Sequence, residues 1–102
     1  MVTLFGAFAI HSPESCPMNN GEAKKVFLEI KDKLEQNKSK YRVKNIEAFY
    51  MSVLEHEWTI IFEAESAHDI ENLCIEAGLG LFNTVKIVGL KRYEDVHSKI
   101  GK

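Results

Sequence analysis

Seven consecutive residues, His11-Ser12-Pro13-Glu14-Ser15-Cys16-Pro17, hold both prolines of the chain, one of its two cysteines and one of its four histidines. A second histidine, His56, stands between Glu55 and Glu57. Imidazole nitrogen and thiolate sulfur together suit zinc or copper, and in places iron. The candidate metal ligands are therefore His11, Cys16 and His56, with Glu14, Glu55 or Glu57 as a source of a fourth. Three protein ligands and one open position make a catalytic arrangement. The His-x4-Cys spacing matches no zinc-finger pattern, so a plainer reading stands beside this one. In it the prolines shape a turn, Cys16 packs at the start of a helix and His11 closes a strand. Cys16 has a further candidate role. A thiol just before a helix N-terminus has its pKa lowered by the helix dipole, and His11 beside it would make a thiolate–imidazolium pair. The alternative is an inert, partly buried thiol.

The elements that must position these groups follow from pattern. Val2 to Ile10 mixes β-branched, aromatic and small residues and reads as a first strand. One parity, Val2, Leu4, Phe8 and Ile10, is strongly apolar; the other, Thr3, Phe5, Ala7, Ala9 and His11, is smaller and more mixed, and both are apolar enough to be expected under cover. Pro13 and Pro17 end the strand, since neither donates a ladder hydrogen bond. Asn19 or Asn20 can cap a helix, with Glu22 placed as in a capping box. Ala23, Val26, Phe27, Ile30 and Leu34 then share one helical stripe, and the spacing predicts a helix over 20–36.

Tyr41 to Val53 reads as a second strand, with a slip of phase near Glu47–Ala48 that suggests a bulge. Trp58 to Ala64 is a third, joined to it by the tight turn Leu54-Glu55-His56-Glu57. Ser66 and Asp69 signal a second helix carrying Ile70, Leu73, Cys74 and Ala77 on one face and ended by Gly78 and Gly80. Thr84 to Leu90 is a fourth strand, and residues 93–102 are expected to form a polar, loosely held tail. The domain is thus expected over 1–92.

Composition narrows the function classes. A chain of 102 residues suits one core, and 45% hydrophobic residues argue against disorder. A net charge of −2 without a basic stripe argues against nucleic acid as a partner. Two cysteines in such different settings make no disulfide framework and read as free thiols in a reducing compartment. No apolar run approaches the roughly 20 residues of a membrane helix, and no leader pattern is visible. A cytoplasmic protein with no membrane partner is the expectation. Phosphate-binding loops and nucleophile elbows are lacking.

The order β-α-β-β-α-β predicts an α+β, ferredoxin-like fold with a four-stranded antiparallel sheet of order 4-1-3-2 and both helices on one face. This arrangement brings the end of the first strand to the start of the third. His11 and the 12–17 loop should therefore meet Glu55, His56 and Glu57, with Leu79-Gly80-Leu81-Phe82 arriving at the same edge. Apolar residues on both parities of the strands leave the second sheet face too apolar for water. A second copy is its expected cover, giving a homodimer by two-fold pairing of sheets.

In this order of elements and these two-sided strands the chain resembles the dimeric α/β-barrel superfamily, which includes muconolactone isomerases and antibiotic-biosynthesis-type monooxygenases. The His11–Pro17 loop, with Glu55-His56 before a strand ending Glu63-Ala64, is similar to an uncharacterised group of small proteins within it. The resemblance implies the fold and the dimer and transfers no catalytic residue. The reading reached is a homodimer that binds a transition metal, zinc or copper ahead of iron or haem, or a small ligand, at the edge formed by the 11–17 loop and the 54–57 turn. Two alternatives accompany it. One is a monooxygenase- or isomerase-like enzyme using the barrel cavity; the other is a non-catalytic effector or interaction module. Glu63 is also notable, because a carboxylate facing a barrel interior needs a partner, and Arg42, Lys44 or Lys86 could supply one.

Overall fold

Strand β1 (Thr3–Ile10) lies inside a four-stranded sheet in a computed structural model that describes residues 2–101. The chain continues through a short 3-10 turn (Pro13–Ser15), helix α1 (Gly21–Asn37), strands β2 (Val43–Ser52) and β3 (Glu57–Ala64), and helix α2 (Ala67–Ala77). A second 3-10 turn (Leu79–Leu81), strand β4 (Thr84–Leu90) and helix α3 (Tyr93–Ile100) complete it. The sheet order is β2-β3-β1-β4, with every neighbouring pair antiparallel. This is the expected 4-1-3-2 order of a ferredoxin-like α+β fold. The irregularity expected near Glu47–Ala48 is found as a register shift with β3 between Ile46 and Ala48, and a second shift lies between Val43 and Asn45.

Local chemistry accounts for the helix ends. Asn20, rather than Asn19, caps α1, its side-chain oxygen accepting from the backbone N–H of Glu22 and of Ala23 at 3.0 Å each. The Ser66 hydroxyl accepts from the Asp69 N–H at the start of α2. Gly78 closes α2 with φ of 89°, a left-handed conformation open to glycine at no steric cost, and its N–H reaches the Cys74 and Ile75 carbonyls.

The structure decides which face of β1 the helices cover. Ala7 and Ala9 are fully buried beneath the helices, whereas Ile10 is half exposed. Leu4, Phe8 and Ile10 lie on the opposite, helix-free face. The reason is steric. Small side chains on the central strand let Ile30 and Leu34 of α1 and Ile70 and Leu73 of α2 descend onto Trp58, Ile60 and Phe62 of β3, all of which are buried. Bulk on β3 fills the space that the alanines of β1 leave.

The segment after β4, expected as a loose tail, is helical. All residues of α3 are nevertheless exposed, including Tyr93 and Ile100. No helix among the described residues is long and apolar enough to cross a membrane.

Candidate metal centre

His11 follows the last residue of β1, and the β1–β3 register sets Ile10 opposite Glu57. His11 therefore comes directly against His56, and its N–H donates to the His56 carbonyl at 3.1 Å, extending the ladder by one bond. The same parity that buries Ala7 and Ala9 carries the His11 ring inward, to 7% exposure. There it meets Trp58 and Phe82 edge-on, with ring centroids 5.7 and 5.5 Å away.

Cys16 is delivered by the proline-bounded loop. Pro13 opens the 3-10 turn, whose Ser15 N–H is capped by the Ser12 hydroxyl. The Cys16 N–H donates to the Pro13 carbonyl at 3.3 Å, and the Cys16 carbonyl accepts from Asn19 and Asn20 at 2.8 and 2.9 Å. The Asn19 amide binds the Pro13 carbonyl as well. A loop tied by this many bonds holds its thiol in one place, and Cys16 is buried.

His56 sits in the β2–β3 turn with φ of 55°, one of two non-glycine residues in the left-handed region among the described residues; the other is Arg42. Such a conformation disfavours a side chain with a Cβ, so the turn tolerates a backbone cost in presenting this imidazole.

Together these elements bring one ring nitrogen of His11, one of His56 and the Cys16 Sγ within 4.8 Å of one another. Bonds of about 2.0–2.3 Å to a tetrahedral ion imply ligand separations of roughly 3.4–3.8 Å, so side-chain adjustments of about an ångström would close the set. One nitrogen of each ring, His11 Nε2 and His56 Nδ1, is buried without a hydrogen-bond partner. The third group, the Cys16 thiol, is a weak hydrogen-bonding partner at best.

Asn83 decides the state of His11, and the sequence reading did not single it out. Its Nδ2 donates to the Leu79 carbonyl at 2.9 Å, which orients the amide and turns Oδ1 toward His11 Nδ1, also at 2.9 Å. An oxygen acceptor there places the ring proton on Nδ1 and leaves the lone pair on Nε2, the nitrogen without a hydrogen-bond partner. Metal-binding histidines are commonly oriented in this way, through the nitrogen that does not bind the ion. Only a polar residue just before an apolar strand marked Asn83 in the sequence, and its partner lies 72 residues away.

The expected arrivals at this edge are otherwise found: His11, Cys16 and His56 converge, and Phe82 packs on His11. The carboxylates do not join. Among the described residues the cluster of histidine, cysteine and acidic groups consists of these three alone. Glu14 and Glu55 are exposed, and Glu57 lines a shallow recess with Phe8, Ile10, Thr84 and Lys86 on the other side of the sheet. No fourth ligand comes from Glu14, Glu55 or Glu57. Beside the cluster a cleft of about 160 Å³ opens between α1 and the β2–β3 turn, walled by Phe27, Leu28, Val53 and Trp58. Tyr50 points elsewhere and is exposed.

Glu63 lies on the helix-free face, where the expected Lys44 acts on it through its charge but a second carboxyl is its main partner. Arg42 is engaged by Asp69 at 3.0 Å instead. Glu63 is hydrogen-bonded to Glu47, which raises the Glu47 carboxyl above its ordinary range and lowers that of Glu63, and Asn45 donates to Glu63 at 3.4 Å. One proton shared by two carboxyls explains both directions.

No family model matches the chain, and no curated protein does. Among solved structures, an uncharacterized protein, TM1266 from Thermotoga maritima, superposes over 89% of this chain and 100% of its own, with 14% identity and a TM-score of 0.47. At that level the likeness bears on neither activity nor ligand.

Proposed function

We propose that this chain binds a transition-metal ion through His11, Cys16 and His56, at the mouth of the cleft beside α1. The observation that carries this reading is the pair of orphaned imidazole nitrogens, His11 Nε2 and His56 Nδ1, converging with a thiol. A buried polar atom left unsatisfied costs about 1–3 kcal/mol, and one ion would satisfy both nitrogens at once. The proton held on Nδ1 by Asn83 supports it, because the nitrogen left free is the one in the cluster. Three protein ligands would leave a coordination position open toward the apolar cleft, where a small ligand has room.

Zinc added to metal-free, reduced protein tests the reading. At about a hundredfold excess over Kd, binding adds about 2.7 kcal/mol, or roughly 10–20 °C in a domain of this size. His56→Gly is the informative variant: it removes one ligand yet suits the left-handed backbone at that position. It should unfold no earlier than the wild type without metal and should lose the zinc-induced rise. An equal rise in the variant, or none in the wild type with either zinc or copper, would sink the metal centre.

The same reading includes a homodimer. The helix-free sheet face carries Leu4, Phe8, Ile61, Val88 and Leu90, none of them beneath a helix of the same chain. A second copy apposing the same face covers both patches by a two-fold axis, as the resemblance to dimeric α/β barrels implies.

A further inference from the structure

Two methionines share the wall of the cleft that holds the cluster. Met18 follows Cys16 by two residues, and Met51 stands on β2 opposite Trp58. Both are unusually exposed for thioethers, at 77% and 39%. No aspartate or glutamate lines this cleft; the charged side chain there is Lys24. The available donors are thus one thiol, two imidazoles, two thioethers and the Ser52 hydroxyl, without a carboxylate oxygen.

We propose that the resident ion is copper(I), bound by His11 Nε2, His56 Nδ1 and Cys16 Sγ, with the thioether of Met18 or Met51 closing over it. This rests on the metal centre proposed above and specifies its ion. Two physical arguments support it. Thiolate and thioether are soft donors, which select copper(I), whereas oxygen-rich sets serve harder ions. Charge points the same way. With both imidazoles neutral, the Cys16 thiolate is the single anionic ligand. Copper(I) then gives a neutral centre, and a divalent ion leaves one net positive charge against an apolar wall and beside Lys24. Uncompensated charge in such surroundings is costly. Methionine has three rotatable bonds, and both thioethers stand on the wall of this cleft, from which they can swing over the ion.

The test compares two metals on the full chain, prepared metal-free and reduced. Copper(I) is titrated in competition with bicinchoninate and zinc in competition with a chromophoric zinc chelator. The proteins are the wild type, Met18→Leu, Met51→Leu, the double variant, His56→Gly and Cys16→Ser. Methionine to leucine conserves volume at partly exposed positions, so folding should hold. The expected result is a copper(I) affinity at least about tenfold weaker in the double variant, with zinc affinity unchanged. X-ray absorption of the copper(I) protein should show a sulfur contribution that shrinks in the same variant. Equal copper(I) affinity in wild type and double variant, or equal weakening of both metals, overturns the copper assignment while His56→Gly still abolishes binding. If His56→Gly and Cys16→Ser bind both metals as the wild type does, the metal centre itself falls, and the copper assignment with it.

Discussion

At the scale of single residues, the candidate site depends on a side chain that would not ligate the ion. The Asn83 amide fixes the His11 proton on Nδ1 and is itself fixed by the Leu79 carbonyl. Partners of this kind are typically worth about 10–100-fold in metal affinity. Asn83→Leu is therefore expected to weaken zinc binding by about that factor. Asn83→Asp, which keeps an acceptor opposite Nδ1, should restore most of the loss. Competition titrations of the variants would check this, and equal affinities for the leucine variant and the wild type would show that Asn83 only packs. His56 makes the complementary point. Its left-handed backbone is better suited to glycine, so the imidazole is present in spite of the local conformational preference.

Among the elements, α2 shows how amphipathic packing sets chemistry as well as stability. Its buried face includes Ile70, Leu73, Cys74 and Ala77. Burial pushes the Cys74 thiol up from 9.0 to about 12. The unfolded thiol releases its proton near 9.0 while the folded one keeps it to about 12, so unfolding releases a proton within that window. The stability involved is complete below the lower value and declines as pH rises, by about 1.4 kcal/mol per unit. Urea unfolding at about pH 8 and about pH 10.5 should show a steeper alkaline loss for the wild type than for Cys74→Ala. Parallel losses in the two proteins would contradict the burial argument. The contrast with Cys16 is one of placement. Cys74 lies within a helix–sheet interface, and Cys16 lies in a hydrogen-bonded loop facing a cleft and two imidazoles.

On the scale of the whole molecule, the helix-free sheet face carries apolar side chains such as Leu4, Phe8 and Ile61 that no helix of the same chain covers. Ile61 sits near its centre, between Gly6 of β1 and Ala48 of β2. Wild-type protein should sediment at twice the 11.6 kDa chain mass. Ile61→Lys, which a two-fold axis would place in the interface twice, should sediment as a monomer with its helix content retained. A wild-type monomer at micromolar concentration would argue against sheet pairing. Helix α3 belongs to this scale too, since its Tyr93 and Ile100 are exposed and its eight residues have little helical stability of their own.

Much of this protein was legible in the sequence, for reasons that can be named. Helical stripes such as Ala23-Val26-Phe27-Ile30-Leu34 and strand runs such as Trp58–Ala64 are local periodicities, and the order of elements then restricts the sheet to few topologies. That order alone brought His11 to His56. Three things were settled only by tertiary structure. The buried face of β1 could not be read from its hydrophobicity, because packing preferred the small side chains of Ala7 and Ala9 beneath the helices. The acidic neighbours of the histidines looked like ligands in the linear chain, but side-chain direction turned Glu57 to the opposite face and left Glu14 and Glu55 in solvent. The His11–Asn83 bond joins residues from opposite ends of the chain, and no periodicity records a contact made at that distance. Sequence determines which groups exist and which edge they reach; the direction of each side chain at that edge is decided by packing.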